Sequence, residues 1–347
     1  MSSETMKAVV YKSVGGPEVL EIVAFPKPMP AYDEVRIRIK AVGLNLIDYY
    51  LRIEDDPDVP MPHILGSDIA GIIDIVGEGV KDWKKGDAVI VSPTSSCGLC
   101  ISCRNGEDSQ CAQRGIIGYQ TQGGYAEYIV VPSRNLVRKI EKLSFEEAAS
   151  LPLASVTAYR MIFRQGRLRI GERVLVMGGS GGVGSMAVQL AKAAGAWVCT
   201  TVGYDWKISL AKELGADQVI LHADNDWSKK AMAATNANGF DLICDHIGGS
   251  FLNECIELLG NGGRLVTIGS TVGSELKIDN FQLYRKQASI IGSYMGSIVD
   301  LEEVLNLVDL MKVKPVVHKV FSLDQAAEAH RYMEERRHFG KIVLRVE

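Results

Sequence analysis

The sequence predicts an α/β protein in which a β-rich part is joined to a doubly wound parallel-sheet domain. Three observations predict it. From Arg173 onward, short apolar strands alternate with helical stretches, the pattern of a parallel sheet covered by helices on both faces. The first third instead carries short runs rich in Val, Ile and Ala, broken by Gly and Pro turns. After two final helices the chain returns to a strand, Lys341 to Val346. At 347 residues the chain is long enough for two domains with ample core.

The early strands are Met6 to Tyr11, Glu34 to Val42, Ile69 to Val76 and Ala88 to Val91, and Gly123 to Pro132 reads as another. Gly15-Gly16-Pro17 and Lys85-Gly86-Asp87 are turn signals between them. Ser144 followed by Glu147 is a capping box for a helix through Ala148 to Ser150. The alternating region then begins. Its strands are Arg173 to Met177, Trp197 to Val202, Asp217 to Leu221, Phe240 to Asp245 and Arg264 to Ile268. The first two intervening helices are Val183 to Gly195 and Trp206 to Gly215. In the last fifty residues, Leu301, Val304, Leu305 and Val308 share one helix face. Ser322 with Gln325 opens a second helix through Met333. No internal repeat and no low-complexity segment interrupts this order.

Apolar residues make up 47% and charged residues 23%, the balance of an ordinary globular protein. A formal net charge of -4 gives no electrostatic reason to expect nucleic acid or an anionic membrane as partner. No run of about 18 apolar residues predicts a membrane span. The start MSSETMKAVVY lacks a basic segment followed by an apolar one, so no secretory signal is expected and the predicted compartment is the cytoplasm. Thiols are kept reduced there, which favours metal ligation over disulfides for clustered cysteines.

Gly178 to Gly184, GGSGGVG, lies directly between a strand and a helix, and Gly179, Gly181 and Gly184 fit G-x-G-x-x-G. Glycine lets backbone approach a pyrophosphate, and the helix N-terminus offers free N–H groups to it. A tight turn without a ligand is the other reading. The next strand ends Thr200-Thr201-Val202-Gly203-Tyr204. No acid stands at its end, where an NAD site places one for the ribose hydroxyls. Lys207 suits a 2′-phosphate, so NADP(H) is the predicted cofactor. Asp205 argues for NAD, and a solvated Lys207 would argue for neither.

Cys97, Cys100, Cys103 and Cys111 follow C-x2-C-x2-C-x7-C. Two close pairs sharing the central residue, with a fourth brought back after Gly106, can surround one tetrahedral Zn²⁺. Four thiolates leave no open position, so such a zinc is structural. Iron–sulfur ligation and free thiols are the competing readings.

Together these pieces resemble the medium-chain dehydrogenase/reductase superfamily over nearly the whole chain, including LPLASVTAYRM (Leu151 to Met161) and GKIVL (Gly340 to Leu344). The resemblance implies a GroES-like catalytic domain from residues 1–152 and 296–347, with a structural zinc lobe at about 95–113. It implies a Rossmann domain over 153–295. The cysteine spacing is similar to the structural-zinc lobe of the family's zinc alcohol dehydrogenases. Those enzymes also bind a catalytic zinc, through a Cys in G-x-C-H-[ST]-D and a His in G-H-E. Here the two stretches read GLNLID and GSD, with Asn45 and Ser67 in the ligand positions, and LPLAS offers no third ligand. Amide and hydroxyl groups do not replace thiolate and imidazole, so no catalytic zinc is expected. A different metal site on His63, Asp48 and Asp68 is the weaker alternative.

Asn45 to Arg52, NLIDYYLR, and GSDIAG are similar to the zinc-free quinone oxidoreductase and enoyl reductase branch. That branch uses NADPH to reduce a quinone or a double bond conjugated to a carbonyl. The resemblance makes Asn45, Asp48, Tyr50 and Ser67 the catalytic candidates, with Asn45 and Asp48 alternatively fixing local backbone. The catalytic Tyr of some enoyl reductases has no counterpart among Glu54 to Asp58, leaving Tyr50 or water as proton donor. The cofactor-binding candidates are Thr157, Gly179, Ser180, Gly181, Gly182, Val183, Gly184, Gly203, Tyr204, Lys207, Gly269 and Ser270. A small-molecule substrate is expected, with a homodimer or homotetramer formed around Arg264 to Ser293. Two other functions stay open: an alcohol dehydrogenase or aldehyde reductase, and a non-catalytic NADPH-binding protein.

Overall fold

A computed structural model describes residues 4–347. They form two compact units, one of residues 4–156, 296–305 and 315–347, the other of residues 157–295 and 306–314. Among the described residues, no helix is long and apolar enough to cross a membrane.

The first unit is built on a seven-stranded sheet. Its path runs Val317–Ser322, Lys341–Arg345, Glu34–Gly43, Asp68–Val76, Ala88–Val91, Leu136–Arg138, and Tyr128–Pro132 also pairs with Glu34–Gly43. The ten-residue strand Glu34–Gly43 is the hub because it pairs antiparallel with three others. Its alternation sets Val35, Ile37, Ile39 and Ala41 into the core, fully buried. Ile64, Leu65, Ile69, Ile73, Val89, Phe321 and Leu344 complete that core. Residues Gly123 to Glu127 are not part of the strand expected there, which begins at Tyr128. Side chains on Gly123 and Gly124 would strike Leu65, Gly66 and Ile69, so this stretch is a close backbone crossing and not a ladder.

The second unit is a six-stranded parallel sheet in the order Gln218–Leu221, Trp197–Val202, Arg173–Val176, Phe240–Asp245, Leu259–Thr267, Ser289–Gly292. In chain order that is 3-2-1-4-5-6, the doubly wound dinucleotide arrangement. The direction of winding reverses between Arg173–Val176 and Phe240–Asp245. Ligands of such sheets bind beyond the carboxyl ends at this point. The buried Asp245 ties that end together, accepting from the Ile247 and Gly248 N–H groups and the Thr267 hydroxyl.

Candidate functional site

In the second unit, the chain leaves Val176, turns through Gly178 at φ +65°, and enters the helix Gly182–Ala193. The turn is pinned by Gly178 N–H to Thr201 Oγ1 at 2.9 Å and Gly179 N–H to the Thr201 carbonyl at 2.8 Å. Its glycines have different reasons. A Cβ on Gly184 would lie 2.1 Å from the Gly178 carbonyl, and one on Gly179 would lie 2.1 Å from Thr200 Oγ1. Those two are demanded by the turn itself. A Cβ on Gly181 would meet nothing closer than 3.7 Å. Packing does not require that glycine, and the open space there suits a phosphate approaching the helix N-terminus. The turn therefore fits a nicotinamide dinucleotide, with Ser180, Gly182 and Val183 on its rim.

The Lys207 ammonium lies 3.4 Å from Ser180 Oγ and within about 5.3 Å of the Tyr204 and Trp206 ring centres. Lys207 is buried, and burial pulls its pKa down to about 8. Asp205 is exposed beside it. Gly203 closes the strand end, where the His222 Nε2 would be 3.4 Å from a Cβ. Sequence reasoning missed His222, since nothing in a lone histidine after an apolar strand points at a neighbouring strand. Gly269 passes against the His246 backbone and Ser270 is exposed. Thr157 is buried on the helix Pro152–Tyr159.

In the first unit, the helix Leu46–Ile53 starts at Asn45, and its N-terminus is held by Asp48, whose Oδ2 accepts from Asn45 N–H at 2.8 Å. Asp48 Oδ1 accepts from Gly66 N–H at 3.2 Å, so one carboxylate fastens both sequence stretches that carry catalytic candidates. Asp48 is fully buried, and burial pushes its carboxyl up to about 6 against the pull of these donors and Lys341. Behind it the Tyr125 hydroxyl lies 3.3 Å from Asp48 Oδ2 and 3.2 Å from His330 Nε2, and Arg52 Nε donates to His330 Nδ1 at 3.3 Å. Arg52 is completed by Glu334 and the Gly15 carbonyl.

The Asn45 side chain, at the helix start, also binds two groups outside the helix. Its Nδ2 donates to Asp68 Oδ2 at 2.9 Å, and its Oδ1 accepts from the Lys341 ammonium at 2.6 Å. Lys341 also donates to Asp68 Oδ2 at 2.9 Å and to the Leu44 carbonyl, and Asp68 Oδ1 accepts from Leu153 N–H at 2.6 Å. Ser67, 1% exposed, keeps a hydroxyl with no hydrogen-bond partner among the described residues. Tyr50 is half-buried on the same helix, edge-on to Tyr49 at 5.4 Å. Lys341, Tyr125 and His330 were the residues missed. The one available signal was a lysine opening an otherwise apolar buried strand.

The cysteines converge as the spacing predicts. Sγ separations of 3.5, 3.6 and 3.8 Å join Cys100–Cys103, Cys97–Cys111 and Cys97–Cys103. A tetrahedron with Zn–S near 2.3 Å has edges of about 3.8 Å. Backbone N–H groups of Leu99 and Cys100 point at Cys97 Sγ, and that of Gln113 at Cys111 Sγ. These donors favour thiolate, lowering Cys97 to about 6. All four ligand atoms lie within 4.8 Å of one another, and the donor set fits a structural zinc. The lobe is anchored within its unit, by Thr94 Oγ1 donating to the Gly296 carbonyl and Asp108 accepting from Ile298 N–H.

Comparison with known proteins gives two family matches: residues 31–141 to the alcohol dehydrogenase GroES-like domain, and residues 182–310 to the zinc-binding dehydrogenase family. An NAD-dependent alcohol dehydrogenase from Sulfurisphaera tokodaii is 34% identical over 98% of this chain and 99% of its own. Human quinone oxidoreductase is 31% identical, with 94% and 93% covered. A crystal structure of an NAD-dependent alcohol dehydrogenase superposes with TM-score 0.95 at 43% identity, covering 99% of this chain and 100% of that one.

Proposed function

We propose that this chain, which belongs to the medium-chain dehydrogenase/reductase superfamily of oxidoreductases, reduces a quinone or a carbonyl-conjugated double bond with NADPH and without a catalytic zinc. The observation that carries the reading is the cluster at Asn45. Where zinc members offer thiolate and imidazole, this chain offers an amide and a hydroxyl, and an ammonium already sits 2.6 to 2.9 Å from Asn45 and Asp68. A divalent cation there would meet a fixed positive charge, with an amide and a hydroxyl in the ligand positions and the Asp68 carboxylate already paired with Lys341.

NADPH, when bound, supplies the hydride that ends on the β-carbon. The π electrons collect on the carbonyl oxygen, which needs hydrogen-bond donors in place of a metal. Asn45 Nδ2, with one hydrogen not spent on Asp68, and the unpartnered Ser67 hydroxyl are the donors this chain provides. Asp48 acts as a positioning group, since its oxygens are taken by Asn45, Gly66 and Tyr125. Tyr50 or water delivers the proton to the α-carbon. On the cofactor side, Lys207 beside Ser180 supports NADPH, while the names of several relatives favour NAD.

Those same names support a second reading, an NAD-dependent alcohol dehydrogenase. A turnover panel separates the two: enones, alkenals, 2-enoyl thioesters, quinones, simple aldehydes and alcohols, each with both cofactors. Reduction of enones or quinones with NADPH supports the proposal, whereas activity confined to alcohols and simple aldehydes, or a preference for NADH, overturns it. For assembly the proposal is a homodimer or homotetramer that pairs through Ser289–Gly292, the edge strand of the parallel sheet.

A further inference from the structure

The three N–H bonds of the Lys341 ammonium have three acceptors: the Leu44 carbonyl, Asn45 Oδ1 and Asp68 Oδ2. Lys341 is 6% exposed and Asp68 fully buried, so solvent does not compete for these contacts. An ammonium only donates and a carboxylate only accepts. The Asn45 amide can therefore take one orientation, oxygen to Lys341 and nitrogen to Asp68. Turned by half, it would press its Nδ2 against the ammonium and its Oδ1 against the carboxylate. Asp68 is itself held by Leu153 N–H on its other oxygen, so the frame around Asn45 has no slack.

We propose that Lys341 is a positioning residue that fixes the Asn45 amide so that its second Nδ2 hydrogen is presented to the reacting carbonyl oxygen. The inference rests on the double-bond or quinone reading above. Two effects follow from the same contacts. Lys341 polarises the amide through Oδ1, which strengthens the Nδ2–H donor. It also neutralises Asp68, whose charge would otherwise repel the oxyanion as it forms. Both act on charge that develops in the transition state, so they bear on kcat more than on KM. The fixed charge comes from the end of the chain, 296 residues from the amide it orients.

The test is steady-state reduction of an enone and a quinone by wild type, K341M, K341R, N45A and the K341M/N45A double variant. Far-UV circular dichroism and NADPH fluorescence check fold and cofactor binding. The expected result is a kcat loss of about 100-fold in K341M with KM within about threefold. K341R should recover most of it, because a guanidinium keeps the charge and the donors. N45A should lose a similar amount, and the double variant no more than either single one, since both act through one donor. K341M within threefold of wild type, or additive losses in the double variant, overturns the inference while leaving the proposed function standing. Wild-type protein that reduces neither acceptor overturns the proposed function and this inference with it. Should K341M not fold, K341R and N45A decide: retained turnover in K341R with loss in N45A supports the role, and full turnover in N45A overturns it.

Discussion

Lys207 places its ammonium 3.4 Å from the hydroxyl of Ser180, so a buried cation from the helix after the second strand reaches the glycine turn after the first. That relationship makes cofactor choice testable. A charge-assisted hydrogen bond to a phosphate is worth about 1.5–3 kcal/mol. K207M should therefore raise the KM for NADPH by about 10- to 100-fold and leave that for NADH within about twofold. Because burial holds Lys207 near 8, the NADPH advantage of wild type should also shrink as pH rises through that value. Parallel KM titrations with both cofactors check this.

His330 gives a pH signature of stability. Burial, followed by the Arg52 charge, pushes it down to about 3 from 6.5, and it stands among Tyr125, Arg52 and Asp48. Its folded value lies below its unfolded one. The stability gained by keeping it neutral is thus full above pH 6.5 and is lost as pH falls toward 3. Asp48, raised to about 6 from 3.8, has the opposite sign: its contribution is full below 3.8 and lost as pH rises through 6. Comparing wild type with H330Q isolates the histidine. The stability gap should move against wild type by about 2 kcal/mol between pH 7.5 and 5, read by urea denaturation.

Metal removal should act on structure before chemistry. The lobe has little regular structure, a four-residue helix and a three-residue turn, and the contacts Thr94–Gly296 and Asp108–Ile298 depend on its shape. C97S/C103S should bind no zinc and lose about 5 °C or more in Tm. Below the new Tm, NADPH affinity should stay within about twofold. Calorimetry and cofactor fluorescence read the two effects separately.

The edge strand Ser289–Gly292 should be the dimer seam. Proline at Ile290 or Ile291 removes an edge N–H without touching the glycine turn or Asn45. One of these variants should weaken self-association by about tenfold or more in sedimentation velocity, with cofactor binding preserved.

What could be read from the sequence was what is local in it. The glycine turn and the cysteine spacing lie within short windows and carry their geometry with them. The strand expected at Glu34 to Val42 was equally local, and the structure has it as Glu34–Gly43. The Gly123–Glu127 stretch misled because its apolar pattern mimics a strand, while its two glycines serve a close crossing at Leu65 and Gly66. The arrangement around Asn45 was out of reach. Asp68 and Lys341 are 273 residues apart, and Tyr125 and His330 are 205 apart. No periodicity links such pairs, and only the folded sheet brings Lys341–Arg345 beside Glu34–Gly43. The zinc-ligand replacements were visible as substitutions, but the ammonium that answers them was not.

The central claim is hydride transfer without a catalytic metal, and zinc stoichiometry measured against turnover tests it most directly. Protein carrying one zinc per chain should reduce an enone or a quinone with NADPH at full rate, and adding zinc should not raise that rate. A second zinc per chain that is required for turnover, with activity only on alcohols or simple aldehydes, would contradict the account.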